Sequence, residues 1–189
     1  MKVSGVCGVL LVALCAGSAA ADDGDSGDNL PAGRFGMSVG VRQGGGLLNQ
    51  YGIALVAAAE AGYLLSDPEQ DVTAGLAWSV VWGWFGPDDQ ASLTGALHTL
   101  EFNFGARLRR RWEAMPLPAF LYIGSGITLL RSNVPLPPEQ KRVYVGPYAA
   151  AGLEGYWTRT MNLSLEVRYG LVVGGPGSLS LVLGIGFGR

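Results

Sequence analysis

The stretch LEFNFGARLR, residues 100–109, alternates without a slip. Leu100, Phe102, Phe104, Ala106 and Leu108 share one parity, while Glu101, Asn103, Arg107 and Arg109 share the other. Period two belongs to an extended strand, whose successive side chains leave opposite faces of a sheet. One face here is apolar and the other charged, and the fold turns on which of them meets the core.

Read outward from this stretch, the chain from Arg34 onward falls into eight segments of the same period, with no segment of helical period. The first sets Phe35, Met37, Val39 and Val41 against Arg34, Gly36, Ser38, Gly40 and Arg42. The second opposes Tyr51, Ile53, Leu55 and Tyr63 to glycines, alanines and Glu60. The third sets Val72, Leu76, Trp78, Val80, Trp82 and Trp84 against Thr73, Gly75, Ala77, Ser79 and Gly83, with Val81 and Phe85 as blemishes. The opening stretch is the fourth. In the fifth, Leu121, Ile123, Ile127 and Leu129 alternate with Tyr122, Gly124, Gly126 and Thr128. The sixth places Val143, Val145, Leu153 and Trp157 opposite Tyr144, Tyr148, Glu154 and Tyr156. The seventh places Leu163, Leu165, Val167 and Tyr169 opposite Ser164, Glu166 and Arg168. The eighth closes with Leu179, Leu181, Leu183, Ile185 and Phe187 against serines and glycines. Turn chemistry separates the segments: QGGG near 43, SDPEQ at 66, GPDDQ at 86, PLPPEQ at 135, TRT at 158 and GGPG at 174. Such short connections predict an antiparallel meander.

A soluble sandwich or barrel would turn its large side chains inward and its charges to water. Its wet face would be rich in Lys and Glu, yet beyond Lys2 the sequence holds one lysine, Lys141. The second face is instead built from Gly, Ala, Ser and Thr with isolated Glu and Arg. That composition suits the crowded inside of a narrow closed barrel, where each buried charge needs a partner. The large apolar face then meets lipid, and because lipid tolerates no open sheet edge, the first and eighth strands must pair. Aromatic placement is an independent check, since membrane barrels carry aromatic girdles at both interfaces. Phe35, Tyr63, Trp112, Trp157 and Phe187 would form one girdle, and Tyr51, Trp82, Trp84 and Tyr169 the other.

The ends fit an exported protein. Lys2, an apolar run through Leu14 and small residues up to Ala21 have the layout of a cleaved signal peptide, residues 1–21. A lipoprotein reading at Cys15 is disfavoured because Leu14 stands where a small residue is expected. Both cysteines, Cys7 and Cys15, fall within that segment, so the mature chain would have no thiol for a disulfide or a metal. No cofactor is expected. Residues 22–33 read as a flexible acidic segment and 34–189 as the barrel. Of 15 acidic residues against 13 basic, Asp22, Asp23, Asp25 and Asp28 lie in that short segment, which leaves the body near neutral. No clustered basic face points to a nucleic-acid partner. Tyr169 to Gly188 is uncharged and long enough for a helical span, but GGPGS at 174–178 breaks it into two strands and a turn.

With this layout the chain resembles the small eight-stranded outer-membrane barrels, the OmpA/OmpX-type proteins and their relatives. The resemblance covers residues 34–189 as an all-β, closed, antiparallel up-and-down transmembrane barrel. The ending LVLGIGFGR also looks like the terminal-strand signal read by the outer-membrane assembly machinery, departing from it in closing on Arg189 rather than on the aromatic. The resemblance implies a monomer in the bacterial outer membrane, with membrane lipid and that machinery as partners.

Arg34, Arg42, Glu60, Glu101, Arg107, Arg109, Glu154, Glu166 and Arg168 point inward on this reading. A filling salt-bridge network is favoured over a pathway for protons or small solutes, because eight strands enclose too little space for a pore. Glu101, Glu154 or Glu166 is expected to accept from Arg107 or Arg168. His98, the only histidine, shares parity with Leu100 and Phe102 and should face lipid or the interface, while Thr99 points the other way. No His-x-Ser pairing like that of the lipid A deacylases is present, so a catalytic His98 is disfavoured. RLRRRW at 107–112 reads as an interfacial anchor, and the glycine-rich stretches lead into no helix and so form no phosphate loop. The expected outer loops, 43–50, 86–92, 132–141 and 173–177, are short, which disfavours a large specific partner. A structural envelope role is the leading expectation. A narrow conduit for small or hydrophobic solutes comes second, and a lipid-modifying enzyme is the least favoured.

Overall fold

A computed structural model of the chain describes residues 33–44, 53–66, 70–86, 97–114, 118–136, 141–158, 160–173 and 177–188. The expected signal peptide, nearly all of the acidic segment, and Tyr51 lie outside them. Eight strands follow in order: β1 (Gly33–Gly44), β2 (Ile53–Leu64), β3 (Val72–Phe85), β4 (Leu97–Arg111), β5 (Ala119–Leu136), β6 (Lys141–Tyr156), β7 (Met161–Leu171) and β8 (Gly177–Gly188). Each pairs antiparallel with its neighbours in sequence, and β1 pairs with β8 from Arg34↔Gly188 to Gly44↔Ser178, which closes the barrel.

The register fixes the barrel's shape. Stepping across paired residues from Arg34 leads through Gly62, Ala77, Gly105, Gly126, Tyr148, Gly170 and Ser178 and returns to β1 at Gly44, ten positions further along. The offset is even, so the inward face of every strand closes on an inward face. Over eight strands it implies a tilt of about 40°. The wall is drawn close at Gly105 and Gly126, which face each other across β4 and β5. A Cβ on Gly126 would stand 2.1 Å from the Phe104 carbonyl oxygen, so no larger residue fits this approach.

Burial is inverted relative to a water-soluble protein. Arg42 and Glu154 are each 1 % exposed, while Val39, Ile53 and Leu183 are 65 %, 69 % and 60 % exposed. Leaving aliphatic side chains in water forfeits about 1.5–3 kcal/mol apiece. An outer wall of Val, Leu, Ile, Phe and Trp is stable only where the surroundings are apolar. The charged side chains therefore lie in the lumen, and the outside is the apolar surface.

Several boundaries differ from expectation. Gly33 opens β1 rather than ending the leader, and Gln43 and Gly44 complete that strand. The third expected loop is shorter, because residues 132–136 continue β5. After a register shift between Arg131 and Leu136, Leu136 pairs with Lys141. The reason is burial: Leu136 is 0 % exposed against the apolar end of the lumen, and Tyr144 donates its hydroxyl hydrogen to the Leu136 carbonyl at 2.7 Å.

Candidate functional site: a layered lumen

Inward positions on all eight strands build the interior in three layers. Nearest the end where β1 starts and β8 finishes, Arg34 on β1 meets Glu60 on β2 at 3.0 Å and Glu154 on β6. Arg109 on β4 lies 3.8 Å from Glu154, donates to Thr73 at 2.8 Å, and stacks 4.4 Å above the Phe120 ring. Phe120 and Tyr156, packed edge to face, floor this layer.

The middle layer centres on Glu166 of β7. Its carboxylate accepts from Arg107 at 2.9 Å, from the Tyr122 hydroxyl at 2.8 Å and from Arg168 Nε at 2.8 Å. Arg107 lies flat over Tyr122, 4.1 Å from the ring centroid. Arg168 also donates to Ser79 at 2.8 Å, and Ser79 accepts from Asn103 at 3.2 Å. One carboxylate thus gathers donors from β4, β5 and its own strand.

Toward the opposite end, which we call distal, Arg42 grips Glu101 with two nearly parallel bonds of 2.6 and 3.0 Å. The same guanidinium donates to Ser180 at 3.0 Å and Thr99 at 3.3 Å. Val56, Ala58, Val81 and Val182 pack together as a second, apolar group inside the barrel. Ala54, Phe85, Leu97, Leu130, Leu136, Tyr144 and Val172 then cap the distal mouth.

The expected charges Arg42, Glu60, Glu101, Arg107, Glu154, Glu166 and Arg168 all lie inside, in more than one cluster. Of the three candidate acceptors, Glu166 receives Arg107 and Arg168, whereas Glu101 is taken by Arg42 and Glu154 by Arg34. The interior is not filled by Glu and Arg alone, which corrects the sequence reading. Val81 and Phe85, read as blemishes, are inward residues 2 % and 0 % exposed. Apolar runs such as ValVal at 80–81 and LeuLeu at 129–130 carried that signal, since a buried wall and a buried plug make both parities apolar at once. Tyr122 was likewise inward by parity, but its role as a shelf between Arg107 and Glu166 depends on cross-barrel proximity.

Of the girdle aromatics, Phe35, Tyr63, Trp112, Trp157 and Phe187 lie at the end holding the described chain termini, and Trp82, Trp84 and Tyr169 lie in the distal half. His98 has outward parity and stacks on Trp82, with ring centroids 5.7 Å apart and 10° between planes. Thr99 turns inward to Arg42. Two cavities, of about 20 and 10 Å³, remain beside Arg107, the larger lined also by Arg34, Arg109 and Glu154. Each has room for about one water molecule. Among the described residues no cluster of His, Cys, Asp and Glu could hold a metal ion, and no helix is long and apolar enough to cross a membrane.

A closed antiparallel barrel of eight strands, apolar outside and packed with ion pairs inside, is the fold of the small outer-membrane barrels. Particular solved structures agree. Neisserial surface protein A matches with a TM-score of 0.56 at 15 % identity, over 84 % of this chain and 97 % of that one. Ail, the attachment invasion locus protein of Yersinia pestis, matches at 0.53 and 15 %, over 82 % and 97 %. The outer-membrane enzyme PagL matches at 0.52 and 11 %, over 82 % and 99 %. No protein-family model matches the sequence, and no curated protein matches it.

Proposed function

We propose that this protein is an integral component of the bacterial outer membrane, exported by a cleaved signal peptide, with a structural role and a closed interior. The observation that carries the reading is the filled lumen. Among the described residues, three layers of paired charges and an apolar cap fill the interior, and the cavities beside Arg107, of about 20 and 10 Å³, each have room for about one water molecule. A conduit would have to displace both the Arg42–Glu101 pair and the Phe85–Leu136 cap. A lipid-modifying activity like that of an enzyme sharing this fold needs a nucleophile and a base in reach of each other. His98 is committed to Trp82 on the outer wall, and Thr99 points into the lumen.

The full chain, extracted in mild detergent, is expected to migrate faster on a gel unheated than boiled and to give no discrete conductance steps in a planar bilayer. Steps of constant size would replace the structural role with a channel. Identical migration, with the protein recovered from the soluble periplasmic fraction, would remove it from the membrane altogether.

A further inference from the structure

The interior charges do not cancel. Among the described residues, the charged side chains buried or half-buried inside the barrel are five arginines, Arg34, Arg42, Arg107, Arg109 and Arg168, against four glutamates, Glu60, Glu101, Glu154 and Glu166. Arg42 and Glu101 neutralise each other in the distal layer, so the surplus positive charge belongs to the other two layers. There, Arg107 and Arg109 leave the same face of β4 two residues apart, which sets their Cα atoms about 6.5 Å from each other. Each guanidinium is laid on an aromatic ring of β5, Arg107 at 4.1 Å from the Tyr122 centroid and Arg109 at 4.4 Å from that of Phe120. Stacking fixes the planes and leaves their N–H edges in need of acceptors. Two of those groups find none: Arg107 Nη1 and Arg109 Nη2 are buried and have no hydrogen-bond partner among the described residues. Both side chains line the cavity of about 20 Å³, together with Arg34 and Glu154.

We propose that this cavity binds a monatomic anion, a halide such as chloride, between the Arg107 and Arg109 guanidiniums. The site goes beyond the envelope role and does not depend on what surrounds the outer wall. Size selects the ligand class: the space holds about one water-sized sphere, and a bare halide is only slightly larger than water, whereas nitrate, phosphate or a carboxylate carries several heavy atoms. Charge selects between halide and water. A surplus charge held away from solvent is costly unless it is paired. Water fills the space and leaves the surplus, while a halide removes it and accepts from both free N–H groups through charge-assisted bonds. Glu154 sets the side on which the ion rests. Its Oε1 lies 3.8 Å from Arg109 Nη1, has no hydrogen-bond partner among the described residues and repels an anion, so the ion lies toward Arg107. Because the apolar cap closes the distal mouth, the ion is held rather than passed through.

The test follows the urea unfolding midpoint of the full chain refolded in neutral detergent, with sodium gluconate replaced stepwise by sodium chloride at constant ionic strength. Gluconate is too large for the cavity. A ligand that binds only the folded state raises the midpoint as its concentration passes its Kd, so wild type should gain stability with chloride, and the titration yields an apparent Kd. R109Q removes the surplus charge and one free donor, and should raise that Kd at least about tenfold. E154Q removes the repelling carboxylate and should lower it at least about tenfold. R110Q, whose side chain leaves the outer face of the same strand, should match wild type. Unheated gel mobility reports whether each variant has folded, and if R109Q has not, R107Q takes its place with the same expectation. Equal midpoints in chloride and gluconate for wild type, or the same chloride dependence in wild type and R109Q, overturns the site. Chloride dependence that E154Q abolishes gives the cavity to a water molecule held by Glu154 and overturns the anion.

Discussion

Among single residues, Glu101 is the sharpest case of a charge that holds the barrel. It and Arg42 are buried, and Glu101 meets the guanidinium edge-on through both oxygens. Removing one partner of such a pair strands the other as a buried charge, at a cost of about 3–5 kcal/mol, whereas replacing both with apolar groups of similar size is often neutral. Glu101→Leu is therefore expected to lower the unfolding free energy in urea, measured by tryptophan fluorescence in lipid vesicles, by about 3–5 kcal/mol. The double variant R42M/E101L should recover most of that loss, because Val56, Val81 and Val182 already make the neighbouring lumen apolar. If the single variant unfolds at the wild-type urea concentration, the pair carries no stability.

Among elements, the β5–β6 hairpin stands out. Its tip, from Ser132 to Leu136 and back from Lys141, extends past the register shift, and its inward side chains complete the distal cap. Leu136 is 0 % exposed and joins the tip to Phe85 and Leu97 across the mouth. Leu136→Ala should remove that contact, with a penalty of about 2–5 kcal/mol for a buried Leu. Because local opening follows local contacts, hydrogen exchange should speed up at residues 132–136 and 141–145 and stay unchanged at Glu101 to Gly105. Uniform acceleration along the chain would show instead that the cap and the wall open as one unit.

For the whole molecule, closure is the governing fact. β8 completes the wall with two ladders, to β1 from Arg34↔Gly188 and to β7 from Met161↔Phe187. Deleting residues 177–188 would expose the edges of β1 and β7 to hydrocarbon, where each unpaired backbone group costs several kcal/mol. The truncated chain is expected to lose the heat-dependent gel shift and to be digested by added protease in vesicles where the full chain is protected. A protected, heat-modifiable truncation would mean that the remaining seven strands close by themselves.

The strand count, the inward and outward faces and the need for closure are local or compositional properties, and they were legible in the sequence. Glu101 and Phe102 must leave opposite faces of any strand, and a chain with so little lysine and so many outward aliphatics has no wet surface to build. The alternation placed Arg42, Glu60 and Glu166 inside for the same reason. Partner choice was another matter. That Arg42 takes Glu101, that Arg34 takes Glu154, and that Glu166 gathers Arg107, Arg168 and Tyr122 depends on the ten-residue offset accumulated around eight strands. No single strand encodes that offset. The apolar cap was hidden for a related reason: Val81 and Phe85 break the alternation in their own strand. Phe85 becomes core only once Leu97, Leu136 and Val172 arrive from elsewhere in the chain to bury it, and Val81 only once Val56 and Val182 do.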